Sequence, residues 1–214
     1  MILPLYYLPN LQYMSKFLIE EQILLEKHEH YNKGTFRNRA QIGTSLGPLL
    51  LNIPLLKGKH DGLPITEVKL DNGQPWQRTH WRSIRTAYAK APYWEYYSDS
   101  LAPFFDKEYT FLFDWNLDLL MWLKQKIQLN NNIGFTETFM DKTHPESSIY
   151  KDKLFLAKQY QNAEERDSSF LKKPYIQLFS DRLDFLPNLS VLDLLFCKGP
   201  LTKQYLQSCI SNDL

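Results

Sequence analysis

The sequence predicts a single α/β domain over residues 1–214, with a mixed, partly parallel sheet and helices packed around it. Three observations carry that expectation. The first 25 residues read as apolar strand, amphipathic segment and apolar strand. Two further strand-like runs flank a Gly/Pro loop between residues 39 and 53, and the stretch from Pro75 to Leu129 is helical in pattern almost throughout. A strand–helix–strand order is what a parallel crossover requires, and the helices supply layers to cover such a sheet. A chain of 214 residues is long enough to bury a core of its own.

Each element has a local reason. Ile2 to Leu8 is a short apolar run stopped by Pro9, and Leu11, Met14, Phe17 and Leu18 recur at helical spacing across Leu11–Glu20. Ile23–Leu25 supplies the second strand. Arg39–Ile42 and Leu49–Ile53 bracket Gly43–Pro48 as a hairpin, and Ile65–Leu70 reads as one more short strand. Asp71-Asn72-Gly73 signals a turn, and Pro75 suits the first turn of a helix that runs to about Lys90, ahead of Pro92. A second helical stretch spans Tyr93–Phe105 and is expected to break at Pro103. In Tyr109–Leu129 the polar residues Thr110, Asp114, Asp118 and Gln125 form one narrow stripe, so this helix should lie deep, ending at Asn130-Asn131-Asn132. Ile133–Phe139 and Tyr175–Phe179 read as strands. The polar stretch Asp141–Ser169 reads as a loop-like excursion over about 141–170. A last helix, Leu189–Cys197, is marked by Asn188 as N-cap and Gly199 beyond its end.

Composition removes several function classes. The 25 Lys and Arg against 24 Asp and Glu leave a net charge of +1, which argues against DNA binding and ranks RNA contact last. Hydrophobic residues at 43% exclude a disordered chain. Cys197 and Cys209 are too few and too late for a disulfide framework, which points to reduced thiols and a cytoplasmic location. The N-terminus lacks a basic leader region, and the most apolar stretch is interrupted by Asp114, Asp118, Lys124 and Lys126, so no membrane span is expected.

Three clusters could carry chemistry. His28-Glu29-His30 leads into Tyr31, Lys33, Arg37, Asn38 and Arg39 just after the second strand, where open α/β sheets place ligands. The cations there suit a phosphate or carboxylate, or are simply a polar loop. The two histidines lack partners at metal-ligand spacing, so no metal is expected. On the Pro75 helix, Arg78, Arg82 and Arg85 form one stripe beside the apolar face of Trp81, Ile84 and Tyr88. That stripe is an anion site or a solvated basic face. His80 points away from it and is a candidate base. In Pro187-Asn188-Leu189-Ser190-Val191-Leu192-Asp193 the polar residues suit helix capping and also the orientation of an anion at a helix N-terminus. The run Tyr93-Trp94-Glu95-Tyr96-Tyr97 either stacks on a ligand or packs. No nucleotide-cofactor or hydrolase motif is present, and no cofactor is expected.

The Tyr31-x-Lys33 segment leading to Asn38-Arg39, the stretch from Gln74 through His80-Trp81-Arg82-Ser83-Ile84 to Ala91-Pro92-Tyr93, and the late Pro187–Asp193 segment together resemble the WbqC-like protein family. The chain departs from the family's opening, where relatives often have a strand ending in Gln-Pro before an aromatic-rich turn: Leu3-Pro4-Leu5-Tyr6-Tyr7-Leu8-Pro9 keeps the aromatics and proline but has no glutamine. The resemblance implies a bacterial cytoplasmic protein of surface-polysaccharide (lipopolysaccharide O-antigen) biosynthesis, handling a nucleotide sugar or an aminoacyl donor and transferring a group, glycyl among the candidates. On that expectation Tyr31, Lys33, Asn38, Arg39, Arg82, Arg85, Asn188 and Ser190 bind a small anionic substrate, and His80 or Asp193 acts as base. The rival expectation is a non-catalytic protein that docks a partner through an aromatic-rich surface.

Overall fold

In the computed structural model, residues 1–56, 62–140 and 167–211 are described. Most of the excursion expected at about 141–170 lies outside these residues, as do His60 and His144. The parallel sheet is present: β1 (Ile2–Leu3) pairs with β2 (Gln22–Leu25), and β2 pairs on its other side with β5 (Asn132–Phe135). The register sets Leu3 beside Leu25 and Leu25 beside Phe135. β1 is far shorter than the expected Ile2–Leu8. Pro4 has no N–H for the ladder, and the chain then crosses the carboxyl edge of the sheet, burying Tyr6 and Tyr7 and reaching φ 37° at Leu8.

Between β1 and β2 lies α1 (Leu11–Ser15), which Asn10 caps by accepting the Tyr13 N–H at 2.9 Å, followed by a 3₁₀ turn at Lys16–Leu18. The expected hairpin forms from β3 (Arg39–Thr44) and β4 (Gly47–Asn52), paired with each other in a separate two-stranded sheet. Ile65–Leu70 does not form a strand. Ile65–Glu67 winds into a 3₁₀ turn behind Pro64, and Lys69 and Leu70 make only single bridges, to Phe111 and Leu55.

The helices α2 (Trp76–Tyr88), α3 (Trp94–Asp106) and α4 (Leu112–Ile127) form the body of the fold. Pro103 does not break α3. It sits on the solvent side while Leu101 and Phe105 face the core, so the hydrogen bond it removes belongs to the wet face. In α4, Asp114, Met121 and Gln125 are exposed and Asp118 half-buried along one stripe, and Leu112, Trp115, Leu119, Leu120 and Leu123 are buried. Trp115 is the centre of the core: Tyr109, Trp76 and Phe105 meet it edge to face, with ring centroids at 5.0, 5.1 and 5.4 Å.

The late segment corrects two expectations. Tyr175–Phe179 is not a strand, because side chains supply its partners. The Gln177 amide donates to the Leu186 carbonyl at 2.9 Å and accepts the Leu186 N–H at 2.8 Å, and Ser180 Oγ accepts the Gln177 N–H at 2.8 Å. The N-cap of α5 (Val191–Lys198) is Ser190, not Asn188. Asn188 adopts φ 52° and turns its side chain to Gln12, accepting the backbone N–H at 2.9 Å and donating to Oε1 at 3.1 Å. Gly199 ends α5 at φ 55°, and α6 (Thr202–Ser208) follows a 3₁₀ turn. A Cβ at Gly199 would stand 2.4–2.5 Å from carbons of the Tyr93 ring, far inside van der Waals contact. Gly199→Ala is therefore expected to cost about 2–4 kcal/mol through the positive φ and the clash together. Urea unfolding would show it as a lower midpoint, and a loss under about 0.5 kcal/mol would contradict this account of the turn.

Candidate functional site

The site grows out of the way α2 lies on the hairpin. His80 reaches the Asn52 end of β4 and Tyr88 reaches Gly43 near the far end of β3. The eight residues from His80 to Tyr88 rise about 12 Å, close to the span of the four strand residues from Arg39 to Gly43, so helix and strand keep step. With Trp76, His80, Ile84, Ala87 and Tyr88 buried, helical phase turns Arg78, Arg82 and Arg85 outward.

Two hollows open side by side along that outer edge. One, of about 320 Å³, is lined by Thr44, Ser45, Leu49, Thr79, Arg82, Ser83 and Phe179 among others; the second, of about 510 Å³, by Ser45, Arg85, Lys90, Leu178, Phe179, Asp181 and Arg182. They share Ser45, Thr86, Ala87 and Phe179 and so form one groove. Among the described residues four cations and several hydroxyls face it. The carboxylate in its lining, Asp181, pairs with Arg182 at 3.2 Å on the exposed rim.

Phe179 also lines a narrow cleft, about 10 Å³ and so room for roughly one water, which ends at Gly43 and Asp193. Asp193 is 2% exposed, in the first turn of α5. Tyr88 donates to its Oδ2 at 2.9 Å, and Tyr175 and Gln177 to its Oδ1 at 2.6 and 3.3 Å. The Tyr88 hydroxyl in turn accepts the Gly43 N–H at 3.0 Å. A larger residue would be crowded there, since a Cβ at Gly43 would stand 3.0 Å from the Leu189 side chain and 3.1 Å from the Asp193 carboxylate. Burial raises the Asp193 carboxyl above its ordinary value while the three donors pull it back. Burial also lifts both tyrosine hydroxyls well above theirs, with the Asp193 charge adding to it, so they remain donors.

The sequence-expected residues fall into separate groups. Arg82 and Arg85 face the groove, and Asp193 lies one side chain behind it. His80 is in the core, where its Nδ1 accepts a hydrogen bond from the Tyr7 hydroxyl (2.9 Å) and the ring hydrogen-bonds the backbone of Asn52. Burial, only partly offset by that backbone bond, brings it down to about 4, so it is neutral at pH 7. Asn38 and Arg39 sit at the opposite end of the hairpin with Lys33 nearby, and Tyr31 is buried in the loop that precedes it. The Tyr31 N–H donates to Leu63 at 2.8 Å, and Asn38 Nδ2 donates to the Ile53 carbonyl at 3.0 Å. Arg39 Nε donates to Asn52 Oδ1 at 3.1 Å, and Lys33 is exposed beside Gly34, whose turn overlies Arg39. Asn188 and Ser190 are 3% and 1% exposed and hydrogen-bonded to Gln12 and to the first turn of α5.

The remaining candidates serve the protein's own frame. Glu26 accepts the His28 N–H at 2.7 Å, the Thr136 hydroxyl at 2.8 Å and the Met140 N–H at 2.9 Å. His28 Nε2–H donates to the Thr136 carbonyl at 3.1 Å, and His30 meets Phe139 edge to face. Among the described residues no group of three His, Cys, Asp or Glu is placed to hold a metal. The aromatic run turns inward: Trp94 stacks on Trp81 and packs against Phe196, and Tyr97 is buried, leaving Tyr96 exposed.

Sequence reasoning missed Gly43, Tyr88, Tyr175, Gln177, Phe179, Lys90 and Arg182 as parts of this site. Gly43 reads locally as loop punctuation and Tyr88 as one more residue of an apolar face; only their meeting with Asp193 gives them a role.

The matched stretch of a family model decides the family. The model of the WbqC-like protein family aligns with residues 5–173, which include the hairpin and all of α2. The chain belongs to the WbqC-like protein family. Within this WbqC-like chain, Ser45, Arg82, Arg85 and Lys90 lie inside the matched stretch, and Phe179, Arg182 and Asp193 follow it. The chain is also similar to the uncharacterized protein Rv1507c of Mycobacterium tuberculosis (strain ATCC 25618 / H37Rv), 25% identical over 224 aligned residues and 95% of each chain. No solved structure matches significantly. Among the described residues no helix is long and apolar enough to cross a membrane.

Proposed function

We propose that this WbqC-like protein is a transferase of bacterial surface-polysaccharide biosynthesis that takes an anionic activated donor, a nucleotide sugar or an aminoacyl donor, in the α2 groove. The observation that carries the reading is the convergence of Arg82 and Arg85 with Lys90 and Arg182 on one groove. The two hollows are in the size range of small-molecule sites. Guanidinium forks grip phosphate or carboxylate in two places at once, and Ser45, Ser83 and Thr86 add hydroxyls for a sugar or ribose. Asp193, with its raised carboxyl, is the group in reach of a proton if Phe179 swings aside. His80 is a positioning residue that holds α2 on the hairpin.

A thermal-shift panel of nucleotide sugars, free nucleotides, aminoacyl-adenylate analogues and inorganic phosphate tests this. A ligand at about 100 times its Kd adds roughly 2.7 kcal/mol, several degrees for a domain of this size. Arg82 and Arg85 are exposed, so Arg82→Ala/Arg85→Ala leaves stability within about 0.5 kcal/mol. It is expected to weaken binding by tenfold or more per lost charge-assisted contact, about 1.5–3 kcal/mol each. A silent panel, or an undiminished shift in the double variant, would refute the groove as the donor site.

A further inference from the structure

The hairpin beside the groove has a feature that donor binding leaves unused. Residues 40–56 contain no charged side chain; β3 is covered by α2, but the turn and most of β4 are exposed, and the two strands pair with each other in a sheet of their own. Leu46, at the turn, is 96% exposed; Leu50 is 44% and Leu49 38% exposed. The turn that carries Leu46 is held by Thr44, whose hydroxyl donates to the Gly47 carbonyl at 2.8 Å and accepts the Leu46 N–H at 3.2 Å. Exposed strands of natural proteins are normally guarded by charges. The guard here is Pro48 alone, in a strand otherwise made of leucine, glycine and asparagine.

We propose that this hairpin tip docks the protein on an anionic lipid surface, with Leu46, Leu49 and Leu50 entering the acyl boundary and the groove cations meeting the headgroups. Charge complementarity names the partner. Leu49 lines the same hollow as Arg82, and Ser45, next to Leu46, lines both hollows, so Arg82, Arg85, Lys90 and Arg182 flank the tip with Asp181 as the opposing charge. Leucines on an apolar tip ringed by cations are what an interfacial anchor to anionic lipid uses. The geometry disfavours a protein partner. Leu46 leaves the end of the ribbon, and Leu49 and Leu50, as strand neighbours, leave by opposite faces. No single flat surface could cover all three, whereas fluid acyl chains can. Pro48 also denies a ladder hydrogen bond to any strand added along β4. The inference goes beyond the transferase reading and stands without it.

Sedimentation of the full chain with vesicles tests it. Binding is expected to phosphatidylcholine vesicles containing about one third phosphatidylglycerol and not to pure phosphatidylcholine, and to fall on raising salt to about 0.5 M. Leu46→Asp, at a site with nothing packed on it, is expected to fold normally and bind vesicles about tenfold more weakly or worse. Its response in the nucleotide panel should not change, since Leu46 does not line the groove. Equal binding to both vesicle types, binding to neither, or no effect of Leu46→Asp would overturn the proposal. So would a Leu46-dependent dimer by light scattering without vesicle binding, which would make a second copy the occupant. Vesicle binding alongside a silent nucleotide panel would support the docking and sink the transferase reading alone.

Discussion

Arg37→Ala is expected to cost about 3–5 kcal/mol. Arg37 is 1% exposed and grips Glu29 with two nitrogens, Nε on Oε1 at 2.8 Å and Nη2 on Oε2. Its carbonyl accepts the Asn116 amide from α4 at 2.7 Å, and its guanidinium lies 5.9 Å from the centroid of Tyr6. The pair itself need not stabilise the fold, because desolvating two charges costs about as much as their attraction returns. Removing one member is different: it takes the two guanidinium hydrogen bonds and their charge away from the Glu29 carboxylate, which is 8% exposed. Glu29→Met/Arg37→Met is therefore expected to regain most of the loss. Urea unfolding of the single and double variants separates the two effects. A cost below about 1 kcal/mol for Arg37→Ala would show that the Glu29 carboxylate finds water or a proton cheaply. The consequence reaches the first candidate cluster, since the bridged loop from Glu29 to Arg37 carries Tyr31 and Lys33.

Asp193→Ala should cost about 3 kcal/mol or more, because it strands several donors at once. The hydroxyls of Tyr88 and Tyr175 both end on this carboxylate, and each buried donor left without an acceptor costs about 1–3 kcal/mol. The damage should also be local. Gln177 ties Leu186 to this carboxylate, so the segment from Tyr175 to Leu186 is expected to lose amide protection ahead of α4. Hydrogen exchange on the variant would show this directly, and uniform loss across the chain would refute the anchoring role. Asp193→Asn separates structure from chemistry. An amide keeps one acceptor oxygen and the size of the side chain but carries no base, so a variant folded near wild-type stability yet unable to turn over substrate would make Asp193 the proton acceptor.

Much of the fold was legible because its causes are local. The arginine stripe of α2 follows from 100° of rotation per residue, so Arg82 and Arg85 could be placed together without knowing what they face. The hairpin follows from Gly43 and the Gly47-Pro48 pair between apolar runs, and the parallel pairing of β1 with β2 from the amphipathic segment between them. The failures share one cause. Tyr175–Phe179 has strand composition, but a strand needs a neighbour, and here the Gln177 and Ser180 side chains took that place. Asn188 is a good N-cap by type, but Gln12, 176 residues away, claimed its amide and left the cap to Ser190.

The site divides along the same line. The phase of the cations on α2, the uncharged run through the hairpin and the polar first turn of α5 are readable along the chain, because each depends on neighbours within a few residues. Tertiary packing alone decided that Lys33 and Arg39 gather at the Asn52 end of the hairpin while Lys90 and Arg182 join Arg82 and Arg85 at the other. It decided too that Asp193 meets Tyr88 across 105 residues of chain, behind Phe179. Hydrogen-bond partners so far apart are chosen by which surfaces the core brings together, and periodicity and spacing hold no record of that choice.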